Sequence, residues 1–377
     1  ILPKRKFNTL KQAIDVVRTP ITKVEFVEIL KKRLPEPIQT AGYKSILRAK
    51  AAAKKILALK NQPLSLKGLA KKVRFSQKSL STVQIAEYRK KIRIYDAFYF
   101  FNELEVLEIR LNIFDPYVDY FVIVEAAETF SGLPKKLVFE ENKERFNKFE
   151  KKIIYYVTKD TPADEDDLRK RLYDKKLSAL DREITLNALT SDNIPKGEAH
   201  WLKEFYQKES LKKALVHLSD NDFCFVSDVD EMWNPEAKID YSKNDLFKYK
   251  QVAYYYYLNN RSNDNWTTGW TGTVATKYKN IKHSCLNHLR THTKNKYTVI
   301  NNGGWHFTFQ GGAERMKKKL ESYGHQEFNT HEIKSQLENA LLENRDYRGR
   351  NLKFWLDESE LPDYVIENKT KYSHLFR

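Results

Sequence analysis

Phe223-Cys224-Phe225-Val226-Ser227-Asp228-Val229-Asp230-Glu231-Met232-Trp233-Asn234-Pro235 is the stretch that decides the fold class of this chain. Phe223 to Val226 form a short apolar run with β-branched and aromatic character, which predicts a buried strand. The run ends on Ser227, and the carboxylates of Asp228, Asp230 and Glu231 follow at once. Asn234-Pro235 then breaks the chain direction. Asp228 and Asp230 are two residues apart, a spacing that puts both side chains on one face of an extended chain. Two carboxylates side by side repel each other and call for positive charge between them. Hard oxygen ligands suit Mg²⁺ or Mn²⁺, which can also carry the phosphates of a nucleotide. The same residues would also make a plain acidic loop at a strand end. A ligand site is favoured by the buried strand running straight into them, because ligands collect at strand carboxyl ends in α/β folds.

Upstream, Ile92 to Phe101 predicts an aromatic-rich strand and Leu104 to Phe114 an amphipathic helix. Tyr120 to Glu125 and Ile153 to Val157 predict two more buried strands. This succession is the grammar of a parallel or mixed α/β sheet. Asp164 to Leu189 and Glu198 to Leu218 predict long helices with charge on one face. Downstream, Asp245 to Leu258, with Tyr254-Tyr255-Tyr256-Tyr257, predicts one strand with rings on both faces. The polar loop from Asn259 to Gly272 holds Trp266 and Trp270, which either pack beneath it or offer flat apolar faces to a sugar ring. A second marked stretch is Gly303-Gly304-Trp305-His306-Phe307, whose His306 suits a satisfied core position or a ligand. Residues 331–377 look helical and then irregular.

The 377 residues are 41% hydrophobic and 13% aromatic, which describes a folded globular chain. No run of about 18 apolar residues occurs, so no transmembrane helix is expected. Cys224 and Cys285 are too few for a disulfide framework, and a reducing, cytoplasmic compartment fits, with a peripheral place at a membrane left open. Because the sequence starts at Ile1, an upstream targeting segment stays possible. The sequons at Asn260, Asn265 and Asn368 are of the number chance supplies. The net charge of +17 is unevenly placed. Residues 1–90 hold 22 Lys and Arg against 5 Asp and Glu, and the rest of the chain is balanced. That asymmetry predicts a basic helical accessory region over 1–90 and a second domain over 91–377. Short basic helices could draw a nucleic acid, an anionic membrane surface or an acidic partner, or simply keep the chain soluble.

Tyr95-Asp96-Ala97-Phe98-Tyr99-Phe100-Phe101-Asn102-Glu103-Leu104-Glu105, followed by Leu107-Glu108-Ile109-Arg110-Leu111-Asn112, resembles the opening of glycosyltransferase family 17. The likeness continues through Val118 to Ala126, Thr129-Phe130-Ser131-Gly132, Ser227 to Glu231, Gly304 to Phe307 and Leu361 to Val365. It runs over about residues 92–377 and leaves out the basic region. The family includes the β-1,4-mannosyl-glycoprotein β-1,4-N-acetylglucosaminyltransferases.

The resemblance implies an α/β, GT-A-type fold, a Rossmann-like mixed sheet flanked by helices. It implies a metal-dependent, inverting transfer of a sugar from a UDP-sugar, with UDP-GlcNAc as the expected donor, to a glycan hydroxyl. Asp228 and Asp230 would then hold Mn²⁺ or Mg²⁺ against the donor diphosphate, with His306 completing the shell and Trp305 beside it. Asn102, Glu103 and Glu125, at strand ends, would meet the nucleoside, unless they serve as caps and turn closures. The base for the acceptor hydroxyl would be Glu314 or Asp264, though acids at helix starts are also ordinary caps. Lys208 and Arg261 could touch the diphosphate. The chain lacks the membrane anchor and luminal cysteines of animal members, so a microbial or viral enzyme acting on a cytosolic or surface glycan fits better. Two rivals stand beside this: a glycan- or nucleotide-sugar-binding module without catalysis, and a transferase whose target is nucleic acid or an anionic polymer gathered by residues 1–90.

Overall fold

The computed structural model describes residues 91–191, 194–195, 197–237, 239–242, 246–264, 271–291 and 297–377. Its first half contains β1 (Ile94–Phe100), α1 (Leu104–Phe114), β2 (Tyr120–Ala126), α2 (Val138–Glu141), β3 (Ile153–Thr158), α3 (Ala199–Glu209) and β4 (Phe223–Asp228). Seven strands form one sheet in the order β10-β6-β9-β4-β1-β2-β3, where β6 is Leu246–Tyr249, β9 Thr273–Lys277 and β10 Tyr297–Ile300. β1 runs parallel to β2 and β4, and β2 parallel to β3, while β9 is antiparallel to both β4 and β6. The sheet is mixed α/β, as the order of apolar runs predicts.

Both faces of this sheet are covered, which is why its central strands are mainly apolar. On β1, Ile94, Phe98 and Phe100 enter one core, with Leu107, Leu111 and Phe114 of α1. Tyr95 and Ala97 enter the opposite core, with Leu211 and Leu215. The two-residue alternation of a strand thus feeds two layers. Cys224 lies wholly buried in the second layer as a free thiol, and burial pushes its pKa far up.

A second sheet has the order β12-β8-β7-β11-β5. Here β5 is Glu231–Trp233, β7 Val252–Tyr255, β8 Asn260–Ser262, β11 Gly304–Thr308 and β12 Phe354–Leu356. Trp233 of β5 stacks between Phe225, at 3.9 Å, and Phe114, at 4.4 Å, and ties this sheet to the first. The chain passes from the first sheet to the second through residues 229 and 230, so the acidic turn is the junction between the two.

Three expectations are corrected. The long helix expected over Asp164 to Leu189 is two, Glu165–Arg171 and Ala179–Thr190, the second capped where Ser178 accepts from the Asp181 amide at 3.0 Å. The single strand expected over Asp245 to Leu258 is divided between sheets as β6 and β7, and Tyr256 then takes a left-handed φ of 70°. The irregular C-terminal stretch supplies a strand, β12, to the second sheet. The helices expected over 1–90, the boundary near residue 90 and the Trp266 and Trp270 loop lie outside the described residues. Among the described residues no helix is long and apolar enough to cross a membrane.

Candidate active site

The strand order reverses between β1 and β4: β2 and β3 lie to one side of β1, and the chain then crosses to the other. A crevice opens at such a switch point, beyond the carboxyl ends of the parallel strands. Asp228, the last residue of β4, sits there in register with Tyr99. Val229 and Asp230 form the turn, and Glu231 opens β5 opposite His306 of β11.

A buried cation holds the backbone of this turn. Arg110 of α1 is wholly buried and forks onto Asp96 of β1, with Nε 2.8 Å from Oδ2 and Nη2 2.7 Å from Oδ1. Its Nη1 donates to the carbonyls of Asp228, Val229 and Glu231 at 2.9, 3.1 and 3.0 Å, and Nη2 to Ser227 Oγ at 2.7 Å. Trp233 Nε1 completes the Asp96 carboxylate at 3.1 Å. A planar guanidinium suits this role, since it presents several donors in one fixed fork.

The carboxylates of the turn meet three further cations. Arg290 of α4 (Leu286–Thr291) reaches both Asp228 oxygens at 3.2 Å, Glu231 Oε2 at 2.6 Å and the Gly272 carbonyl at 3.0 Å. Lys208 of α3 lies 2.9 Å from Glu204 and 3.6 Å from Asp228. Lys319 of α5 (Gly312–Ser322) lies 2.9 Å from Asp230 Oδ2 and 3.4 Å from Glu103. Burial pushes the Asp228 pKa up, but Arg290 and Lys208 outweigh it and hold the carboxyl well below its usual range. For Asp230 the same upward push of burial is overcome by Lys319 and His306. Lys319 is in turn held charged: Asp230 and Glu103 outweigh the burial that would lower it.

These groups face a cavity of about 340 Å³. Phe100, Phe101, Val124 and Ala126 give it an apolar wall at the ends of β1 and β2, and Asp228, Asp230, Glu231, Lys208, Lys319 and His306 give it a charged one. Of the residues singled out in the sequence, Asp228, Asp230, His306, Glu103 and Lys208 therefore share one cavity. His306 Nε2 is 3.8 Å from Asp230 Oδ2.

Others are placed elsewhere. Glu125 is wholly buried and is not among the residues that line the cavity. It accepts from the amides of Val138 and Phe139 at the start of α2, from Tyr155 Oη and from Lys135. Glu314 is 82% exposed on its side chain and pairs with Lys317. Glu314 and Lys319 lie about 140° apart around their helix, at 3.6 residues per turn, so the helix that brings Lys319 inward turns Glu314 out. Asp264 is buried under the far wall, held by Tyr255 Oη at 2.7 Å and Arg350 at 3.2 Å. Trp305 donates its indole N–H to the Glu360 carbonyl and leans on the core, outside the cavity. Asn102 borders only a small neighbouring hollow. Arg261 pairs with Asp357 and Glu360. Sequence reasoning missed Arg110, Arg290 and Lys319. Lys319 stands in the run Lys317-Lys318-Lys319, where nothing in the pattern says which lysine turns inward.

The donor set fits a divalent cation, with one condition. Asp230 Oδ1 takes no hydrogen bond among the described residues, and the Asp228 side chain is 32% exposed toward the cavity. Among the described residues, ion pairs join five carboxylates (Glu103, Glu204, Asp228, Asp230 and Glu231) to the three cations Lys208, Arg290 and Lys319. Yet among the described residues no three acidic, histidine or cysteine side chains converge as a self-sufficient metal site. A cation here would complete its shell from substrate phosphates, as Mg²⁺ commonly does.

The model of glycosyltransferase family 17 matches residues 70–194. The match takes in β1, α1, β2 and β3 and ends before the acidic turn. No curated protein and no solved structure matches the chain.

Proposed function

Because the chain belongs to glycosyltransferase family 17 through that match and is a glycosyltransferase, we propose that it transfers a sugar, with inversion and the help of a divalent cation, from a nucleotide-sugar donor to a glycan hydroxyl. UDP-GlcNAc is the donor the likeness favours, and the mixed sheet with its smaller companion supports a GT-A-type arrangement. One observation carries the proposal: Asp228 and Asp230, with His306, Lys208 and Lys319, converge on one cavity at the sheet's switch point.

Each wall then has a role. The apolar end of the cavity, with Phe101 and Phe130, takes the flat nucleobase. Lys208 and Lys319 reach the diphosphate as compact, mobile point charges. Asp228, Asp230 and His306 would hold Mn²⁺ or Mg²⁺, which when bound neutralises charge developing on the leaving nucleotide. Arg290 bridges Asp228 and Glu231 and offsets the repulsion between them. An inverting transfer also needs a base for the acceptor proton. With Glu314 in solvent and Asp264 behind the wall, Glu204 takes that role: it lines the cavity and is joined to Asp228 through Lys208.

Hydrolysis of UDP-GlcNAc by the purified protein, with Mn²⁺ and with EDTA, tests this, alongside a thermal-shift panel of UDP- and GDP-sugars. EDTA should abolish turnover, and Asp230→Ala should lower it by about a hundredfold or more. Glu204→Gln should keep UDP binding while slowing transfer by about 10²–10⁴. Full turnover in EDTA or in Asp230→Ala would sink the assignment.

A further inference from the structure

The three cations of the acidic network are not equivalent. Arg290 is 8% exposed on its side chain, forked onto Asp228, shared with Glu231 and anchored to a backbone carbonyl. It is fixed. Lys208 divides itself between Glu204 and a more distant Asp228. Lys319 is 24% exposed, lines the cavity, and touches only two acids by single contacts, Asp230 at 2.9 Å and Glu103 at 3.4 Å. Its flexible four-carbon stem lets the ammonium swing without disturbing α5, whose Met316 and Leu320 stay in the core beneath.

Asp230 is also the carboxylate with an oxygen to spare. Asp230 lines the cavity, and Lys319 holds its Oδ2 while Oδ1 takes no hydrogen bond among the described residues. A divalent cation on Asp230, at the usual 2.0–2.6 Å, would stand close to the Lys319 ammonium. Like charges at that distance cost more than about tenfold in affinity even when strongly screened. Among the described residues no three acidic, histidine or cysteine side chains converge on one metal position, so the protein by itself offers little to offset that repulsion. A diphosphate changes the balance, since it supplies oxygens to the cation and a new anionic partner to the lysine.

We propose that Lys319 is the resident counter-ion of the site: it neutralises Asp230 while the donor is absent, and moves to the diphosphate when a divalent cation and nucleotide bind together. The inference rests on the metal-dependent reading above and adds an order to it. Metal binds weakly to the free protein and tightly with nucleotide, and by linkage the nucleotide gains as much from the metal. The site thereby avoids loading metal without substrate.

The test is a titration with Mn²⁺, followed by its free-ion paramagnetic resonance signal, on the full chain with and without UDP. Lys319→Met removes the charge and keeps the length, and Lys319→Arg keeps the charge. Without UDP, Lys319→Met should bind Mn²⁺ about tenfold or more tighter than wild type. With Mn²⁺ present, its UDP affinity should fall by about tenfold. Lys319→Arg should follow wild type in both. Unchanged Mn²⁺ affinity in Lys319→Met, or the same gain in Lys319→Arg, overturns the counter-ion role while leaving the metal reading intact. Wild type that binds no Mn²⁺ even with UDP overturns the metal reading itself, and the counter-ion role with it.

Discussion

Arg110 is the side chain on which the acidic turn depends. It neutralises Asp96 in a wholly buried pair and donates to three turn carbonyls, of which that of Glu231 also accepts from Thr273 Oγ1. Arg110→Met removes one partner and leaves an uncompensated buried carboxylate, which costs about 3–5 kcal/mol. Urea unfolding should show that loss, and Arg110→Lys should recover only part of it, because an ammonium lacks the fork. A cost below about 1 kcal/mol would mean that Asp96 and the turn find other support. The same residues show what the sequence makes legible at this scale. Asp228 and Asp230 announce themselves, since an apolar strand running into paired acids is a local pattern. Their cations do not, because the partners lie far away in the chain: Arg290 is 59 residues from Glu231, Lys319 is 89 from Asp230 and Arg110 is 118 from Asp228. Periodicity reports which residues are apolar, and it is silent on which of 67 Lys and Arg closes on a given acid.

At the scale of elements, α1 was legible from its amphipathic spacing, and the four parallel strands because each is a short, mainly apolar stretch with a clear break after it. The division of β6 from β7 was not, since two short strands joined by Lys250 and Gln251 look the same as one long one. β11 shows why its glycines precede Trp305 and His306. Gly304 has a φ of 109°, and a side-chain carbon there would collide with the Met232 carbonyl oxygen of β5. The glycine lets β11 lie against β5 and carry His306 to the acidic turn. Gly304→Ala should therefore destabilise the fold by at least about 2 kcal/mol, from left-handed strain and the collision together. It should also weaken Mn²⁺–UDP binding, because His306 moves with its strand. Wild-type melting and wild-type Mn²⁺–UDP affinity in this variant would show that the close approach is dispensable.

At the scale of the whole molecule, charge and family match divide the chain differently. The charge asymmetry points to residue 90, whereas the family match begins at residue 70, inside the basic stretch. Residues 1–69 hold 16 Lys and Arg against 4 Asp and Glu, so they carry most of the net charge without touching the matched region. Among the described residues, those that line the cavity run from Tyr99 to Arg350, and its ion pairs lie within the same span. Removal of residues 1–69 should leave the rate of UDP-GlcNAc hydrolysis within about twofold of the full chain, as expected when every described residue of the site is kept. Binding to vesicles rich in anionic lipid is where the two should part. The full chain should bind at low salt and release as salt rises, because each basic residue near such a surface contributes about 1 kcal/mol and the attraction decays within a Debye length. The shortened chain, closer to neutral, should bind far less at every salt concentration. Equal vesicle binding by the two chains would assign the excess charge to no anionic surface. A large loss of hydrolysis on removing residues 1–69 would instead make the basic region part of the catalytic unit, and a deletion carried to residue 90 would cut into the matched region in either case.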